Sequence, residues 1–157
     1  MPNLARLFHN ADEVVDAWRE ALKRRDVTAA LALWLDDDSI TCVLPEGQRL
    51  SGHAEIRGGL ERLLANQALF LEPIACISHS SLGTAIYDTT EAVHLRADQA
   101  ESAFFLNITL VVLQDSQGWR IAHGLRFVGK VKNVAARHRP RIVADAVLGR
   151  DPRNLRV

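Results

Sequence analysis

The sequence predicts an α+β fold in which helices pack on one face of a curved antiparallel sheet. Apolar residues recur at helical spacing up to about residue 66, and from residue 70 onward long strand-like runs follow one another. The helical and strand regions are segregated along the chain, which is typical of α+β proteins. With 157 residues, 48% of them hydrophobic and 24% charged, the chain suits a globular protein with one main domain.

Side chains that cap helix ends mark the helices. The Asn10–Glu13 spacing is that of a capping box, which predicts a first helix over 11–25. Asp26 is suited to cap a second, shorter helix that ends near an acidic run. A third helix is predicted within 51–66, where aliphatic residues share one face.

Strand patterns account for most of the rest. A strand within 39–45, a polar turn and a short return predict a hairpin before the third helix. Four long strands are then predicted over 70–80, 83–97, 102–114 and 118–129. We therefore assign 1–129 to the α+β domain and 130–157 to a basic C-terminal extension.

The last hairpin decides which way its side chains face. A type I turn with left-handed Gly118 and a G1 bulge would pair odd residues with odd residues. One face would then carry Phe105, Asn107, Thr109, Val111, Trp119, Ile121, His123, Leu125 and Phe127. A slip of one residue would invert this assignment.

The opposite face of the strand at 102–114 is entirely apolar. It carries Phe104, Leu106, Ile108, Leu110 and Val112. Since both faces of this strand are largely apolar, each needs a cover, and we expect this one to form the surface of a homodimer. Arg120 and Arg126 would lie at its rim.

The face that carries His123 has the features of a small-molecule pocket, because a few polar groups lie in an apolar surround. Asn107 and Thr109 are candidate ligand-binding residues there. Tyr87 is either a packing aromatic or a hydrogen-bond donor in the same pocket. Glu91 is expected near the exposed edge of the sheet, since burying an unpaired carboxylate is costly, although it too is a candidate ligand contact. The three tryptophans are also candidate ligand contacts: Trp119 lies on the His123 face, and Trp18 and Trp34 are either core residues or walls of the cavity.

His123 allows two interpretations. It is either a buried neutral imidazole that hydrogen-bonds to Thr109 or Asn107, or a general acid and base acting on a small apolar ligand, since its ordinary pKa lies near neutrality. The first interpretation predicts a stability cost when His123 is removed, and the second predicts a loss of turnover.

Charge and cysteine content exclude several other classes. The net charge is zero, which disfavours a general polyanion binder, but residues 130–157 hold eight basic residues against two acids. Nucleic acid is not expected as a partner because this extension lacks aromatic residues; it is expected to be solvated or to embrace a dimer. The sequence shows no cofactor motif and no metal-ligand spacing, so Asp36–Asp38 is interpreted as a solvated loop. It shows no signal peptide and no membrane span, so we expect the protein in the cytoplasm. Cys42 and Cys76 are expected as small, buried, apolar side chains.

The order of these features resembles SnoaL-like, ketosteroid-isomerase-like domains of the nuclear transport factor 2 superfamily. The resemblance rests on "ALKRRDVTAALALWLDDDSITCVLPEGQRLSGHAEIRGGL", on Asn107-x-Thr109 and on Trp119-x-Ile121-x-His123, and it covers about residues 8–128. It implies a cone-shaped sheet wrapped around N-terminal helices, a homodimer, and a cavity between sheet and helices. It also implies a possible isomerase or cyclase acting on a small cyclic substrate, with a non-catalytic binding or dimerisation module as the alternative.

The sequence departs from the family pattern at two positions of the last two strands. Leu125 stands where many relatives carry a second histidine, and Asn107 stands where they often carry arginine. The isomerases of this family use a carboxylate base with a tyrosine and a protonated acid. Tyr87 is the only tyrosine of this chain, so that arrangement does not transfer directly.

Overall fold

Residues 8–129 fold into three helices and one six-stranded sheet. The structure, a computed structural model, describes residues 8–129, with side chains for residues 8–124. In chain order the elements are α1 (Ala11–Lys23), α2 (Val27–Leu31), β1 (Thr41–Val43), β2 (Arg49–Ser51), α3 (Gly52–Leu64), β3 (Phe70–Ser81), β4 (Thr84–His94), β5 (Phe104–Asp115) and β6 (Gly118–Gly129). The predicted α+β class and the order of its elements are confirmed; the extension at 130–157 lies outside the described residues.

The strands are arranged in the order β2-β1-β6-β5-β4-β3. The hairpins β3–β4, β4–β5 and β5–β6 are antiparallel, as predicted. The sheet is mixed rather than purely antiparallel, because β1 pairs with β6 in parallel. A parallel pair needs a long crossover, and here β2, α3 and β3–β5 provide it.

The caps at the first two helices form as predicted. The Asn10 side chain accepts a hydrogen bond from the Glu13 backbone N–H at 2.9 Å, and Asp26 accepts one from that of Ala29 at 2.9 Å. Helix α1 ends at Lys23, two residues earlier than predicted, because Arg25 adopts a left-handed conformation with φ 56°. The Arg25 guanidinium then donates to the carbonyls of Leu64 and Ala65, which tethers the C-terminus of α3.

The register of the β5–β6 hairpin differs from the predicted one near its turn. Gly118 is left-handed as expected, but it pairs with Asp115, and the shift of register comes later, where Val112 pairs with Ile121 and Val111 with His123. Ala122 is therefore the extra residue of a bulge. The prediction that Trp119, Ile121 and His123 share one face is wrong: the two apolar residues face the helices and His123 faces away.

The face expected to form the dimer surface is instead the core of the single chain. Leu106, Ile108, Leu110 and Val112 are buried, and Phe104 packs against the same cluster. They lie beneath the helices together with apolar residues of α1 and α3 such as Trp18 and Leu60. The alternation of β5 reveals two apolar faces, but only the packing of α1 shows which one is covered.

No helix among residues 8–129 is long and apolar enough to cross a membrane.

Candidate functional site

Three polar side chains of β4 lie on the face of the sheet that meets the helices. Tyr87, Thr89 and Glu91 are exposed by 7%, 6% and 2% of their surface. They alternate along the strand, and they pair with Leu110, Ile108 and Leu106 of the buried face of β5. A row of polar groups in an otherwise apolar core needs compensating partners.

The partner of Glu91 is Arg19 of α1. Glu91 Oε1 accepts hydrogen bonds from Arg19 Nη2 at 2.8 Å and from Arg19 Nε at 3.3 Å. Glu91 is thus buried and paired rather than exposed, and the expectation of a solvent-facing carboxylate is wrong. Glu91 Oε2 is also buried, yet among the described residues nothing donates to it. Half of this carboxylate is left with acceptor capacity that a bound donor would fill.

Tyr87, like Glu91, bonds to a residue of α1. Its hydroxyl donates to Asp12 Oδ1 at 2.5 Å. Burial, followed by this hydrogen bond to a carboxylate, raises the pKa of Tyr87. Tyr87 therefore stays protonated near neutral pH and acts as a donor.

Sequence reasoning missed Asp12 and Arg19. They lie on one flank of α1, beside the buried stripe that contains Val15 and Trp18. Asp16 lies between them and accepts a hydrogen bond from Arg19 Nη1 at 3.2 Å. The 12, 16, 19 spacing places the three residues on one side of the helix. That row of charges was a visible signal, although its partners on β4 lie more than 70 residues away.

A depression gives access to Arg19 from solvent. It has a volume of about 290 Å³ and lies between α1 and the start of β3. Asp16, Arg19 and Lys23 supply polar lining, while Phe70 and Leu71 supply an apolar wall. Arg19 is 20% exposed, so one guanidinium links the buried carboxylate to this surface.

The tryptophans proposed as cavity walls lie on the helix-facing side. Trp18 and Trp34 are buried, and their rings meet edge to face with centroids 6.0 Å apart. Trp119 is half-buried against the same core. Trp34 Nε1 is buried and no described residue accepts its hydrogen. These side chains occupy the region between the sheet and the helices, rather than forming the walls of an empty cavity.

His123 lies on the outer face of the sheet, away from Glu91. Its Nδ1 is 2.5 Å from Thr41 Oγ1, on the parallel neighbour β1. Burial, with a smaller contribution from the charge of Arg49, lowers the pKa of His123. The partner predicted for a structural His123 was Thr109 or Asn107; the structure places Thr41 there instead.

Asn107 and Thr109 share the outer face with His123 but bond to β4. Thr90 Oγ1 donates to Asn107 Oδ1 at 3.0 Å, and Thr109 Oγ1 donates to Asp88 Oδ1 at 2.5 Å. They line an open depression of about 210 Å³. The predicted site residues are consequently divided between two faces of the sheet, and the structure does not bring His123 together with Tyr87 or Glu91.

The acidic run at Asp36–Asp38 is an exposed turn. Asp37 Oδ1 accepts a hydrogen bond from the Ser39 N–H at 2.7 Å, and bonding to Ser39 lowers the pKa of Asp37. Across residues 8–129, no group of three or more histidine, cysteine or acidic side chains is arranged to hold a metal ion. Cys42 is buried, as expected for a small apolar side chain, whereas Cys76 is exposed, contrary to that expectation.

One family model matches most of the chain. The model of the SnoaL-like domain matches residues 11–125, which include the three helices described above and most of the sheet. The chain belongs to the SnoaL-like domain family. No curated protein matches the sequence.

Solved structures support the same fold. A Thiobacillus denitrificans protein, described as a proposed calcium/calmodulin-dependent protein kinase type II association domain, is 21% identical with a TM-score of 0.73; the match covers 80% of this SnoaL-like chain and 99% of that one. A proposed dehydratase of the NTF2-like family from Streptomyces avermitilis is 20% identical, with a TM-score of 0.66 and coverage of 75% and 92%. A Nostoc punctiforme protein of unknown function with a cystatin-like fold is 17% identical, with a TM-score of 0.66 and coverage of 82% and 100%. At these identities the likeness extends to the fold alone.

Proposed function

We propose that this SnoaL-like protein binds a small molecule at the Glu91–Arg19 pair. The observation that carries the proposal is the buried Glu91 Oε2, to which no described residue donates. A ligand hydroxyl or N–H would satisfy this oxygen, and the Arg19 guanidinium would donate to a neighbouring ligand oxygen. The apolar wall of Phe70 and Leu71 beside Arg19 favours a ligand with an apolar, cyclic body.

The same pair is suited to proton transfer. A carboxylate that accepts a proton from one carbon of a carbonyl compound and returns it to another catalyses an isomerisation with no net change in protons. Arg19 would stabilise the charge that develops on the carbonyl oxygen. In this proposal Glu91 takes the acid and base role that sequence analysis gave to His123, because His123 lies on the other face of the sheet.

Binding of 2-naphthol, an apolar probe with one hydroxyl donor, tests the site. We expect its NMR signals to report binding to the wild type and at least tenfold weaker binding to Glu91→Gln. The matched control is His123→Gln, which changes a polar residue of the outer face and should leave the affinity unchanged. Binding that is lost in His123→Gln and kept in Glu91→Gln would overturn the proposal, as would no binding to any of the three proteins.

A second candidate function is dimerisation through the outer face, with His123 in a structural role. Phe105, Val111 and Leu113 of β5 are half-buried on this face, and Ile77 of β3 is 45% exposed. The polar groups on the same face bond to one another across the strands, which lowers the cost of covering them. We propose this face, rather than the buried one, as the surface of a homodimer.

Light scattering tests the dimer. The wild type should give twice the monomer mass at micromolar concentration, and Val111→Glu should give the monomer mass because a buried charge at the interface is costly. Gln114→Glu, an exposed change on the other face of the same strand, is the control. A monomeric wild type would exclude this candidate function and would leave the proposal for Glu91 unchanged.

A further inference from the structure

One row of paired residues crosses the outer face of the sheet at right angles to its strands. Residues that pair in register on neighbouring strands point to the same face. Arg49 of β2 points away from the helices, since the next residue, Leu50, is buried in the core. The same holds for Asp88 of β4, which follows the buried Tyr87. We call this the charged row, and from one edge of the sheet to the other it contains Arg49, Val43, Leu125, Thr109, Asp88 and Ile77.

The two charges of this row are both available to a partner. Arg49 and Asp88 are exposed, and no ion pair within the described part of the chain involves either of them. Asp88 Oδ1 accepts a hydrogen bond from Thr109, which leaves Oδ2 for a further donor. Glu72, another acid of the outer face, already bonds to His94 Nε2 at 3.1 Å. The charged row thus offers a cation toward one edge of the sheet and an anion toward the other.

A two-fold axis along β6 makes the charged row complementary to itself. In the sheet, β2 and β4 lie two strands to either side of β6. Rotation about an axis parallel to the strands exchanges the two sides of the sheet and keeps each residue at its height along the strand. Arg49 therefore faces Asp88 of the partner subunit, and the same contact occurs a second time by symmetry.

The dimensions of packed sheets suit this contact. Two sheets that pack face to face lie about 10 Å apart, a gap that the long arginine side chain can largely cross. Aligned packing rotates the strands by about 30°, and the flexible stem of Arg49 allows for the resulting offset. An axis along the row itself would instead place Arg49 against Arg49 of the partner subunit, so charge favours the axis along β6.

His123 lies at the same axis. It belongs to β6, two positions before Leu125, and points to the outer face. Burial lowers the pKa of His123, so near neutral pH its two copies meet as uncharged groups. The centre of this arrangement is therefore free of repulsion.

We propose that Arg49 of one copy forms an ion pair with Asp88 of the partner subunit, twice, across a two-fold axis along β6. This pairing rests on the homodimer described above as the second candidate function. Half-buried and exposed apolar residues of the same face, such as Val111 and Ile77, supply the area that is buried. The two ion pairs determine how the copies align, because complementary charge fixes register and excludes wrong arrangements.

Sedimentation equilibrium of the full chain tests the pairing through single charge reversals. Arg49→Glu places two acids against each other at both contacts, and Asp88→Arg places two arginines there. We expect each variant to raise the dissociation constant of the dimer at least tenfold. Arg57→Glu, at an exposed position of α3, is the matched charge reversal and should dimerise like the wild type. Circular dichroism shows whether each variant is folded.

Restoring the opposite charges separates the ion pair from other effects of these substitutions. The double variant Arg49→Glu/Asp88→Arg pairs an acid with a base at both contacts, so we expect it to dimerise within about threefold of the wild type. An equimolar mixture of the two single variants should form heterodimers for the same reason. Rescue also controls for the hydrogen bond from Thr109 that Asp88→Arg removes.

The outcomes distinguish this pairing from the dimer itself. A dimeric wild type whose single variants dimerise equally well would overturn the pairing and leave the homodimer standing. Single variants that dissociate, without rescue in the double variant or in the mixture, would also overturn it. A monomeric wild type would overturn both the pairing and the homodimer.

Discussion

The polar groups on the two faces of the sheet differ in their burial and in the elements to which they bond. On the helix-facing side, Glu91 and Tyr87 are buried and bond to α1, so each contact joins residues more than 70 positions apart. On the outer side, Asn107, Thr109 and His123 bond to residues of neighbouring strands and remain more exposed. Polar groups of the buried face therefore depend on helix docking, whereas those of the outer face depend only on strand pairing.

This difference predicts unequal costs of mutation. Removing one partner of a buried ion pair leaves an uncompensated charge, while removing one partner of a half-exposed hydrogen bond returns the other to water. Four predictions test the comparison, in order of decreasing effect.

Arg19→Met should have the largest effect. It leaves the Glu91 carboxylate buried without its cation, and we expect the free energy of unfolding to fall by about 3 kcal/mol. Urea unfolding measures this loss. Arg24→Met, which removes a more exposed ion pair with Glu20, should change stability little. The double variant Arg19→Met/Glu91→Leu should recover much of the loss; a double variant as unstable as Arg19→Met would contradict the argument.

Gly124→Ala tests how tightly the helix-facing side is packed. An added Cβ would lie 3.2 Å from Trp34 Cη2 and 3.4 Å from Leu110 Cδ2, so the neighbours must move. We expect a loss of about 1–2 kcal/mol in thermal or urea unfolding. Gly58→Ala in α3 is the control, because its Cβ would meet only ordinary contact at 3.6 Å from Arg62 and the helix gains from alanine. Equal stability of the two variants would indicate a looser core.

Tyr87→Phe removes the hydroxyl that bonds to Asp12 and retains the ring. The loss should be about 1 kcal/mol, the usual net value of one hydrogen bond. Asp12→Asn retains an acceptor for the same hydroxyl and should cost less. The interpretation would be wrong if Tyr87→Phe unfolded at the same urea concentration as the wild type.

His123→Gln should cost no more than about 1 kcal/mol at pH 7.5, since it disturbs a single hydrogen bond on the outer face. The cost should also depend on pH. Because the pKa of His123 in the folded state is lowered below 6.5, the unfolded chain binds the proton more readily, and stability falls as the pH drops below 6.5. The glutamine variant lacks this loss, so its difference from the wild type should shrink between pH 7.5 and pH 5.5. A difference that grows on acidification would be incompatible with a lowered pKa.

The local features of the fold follow from the sequence. The Asn10–Glu13 capping box, the Asp26 cap and the left-handed Gly118 form where residue chemistry predicts them, because each depends on neighbours within about four positions. The resemblance to SnoaL-like domains rests on the order of such features, and the family is confirmed over residues 11–125.

Tertiary structure decided which side of the sheet became the core and which residues form the candidate site. The bulge at Ala122 turns Trp119 and His123 to opposite faces, and an alternating pattern does not reveal where one extra residue falls. Glu91 is buried because α1 places Arg19 beside it, a pairing that no spacing within either element specifies. Short-range chemistry thus determined the helices, turns and strands of this protein, whereas the docking of α1 on the sheet determined which polar groups are buried together.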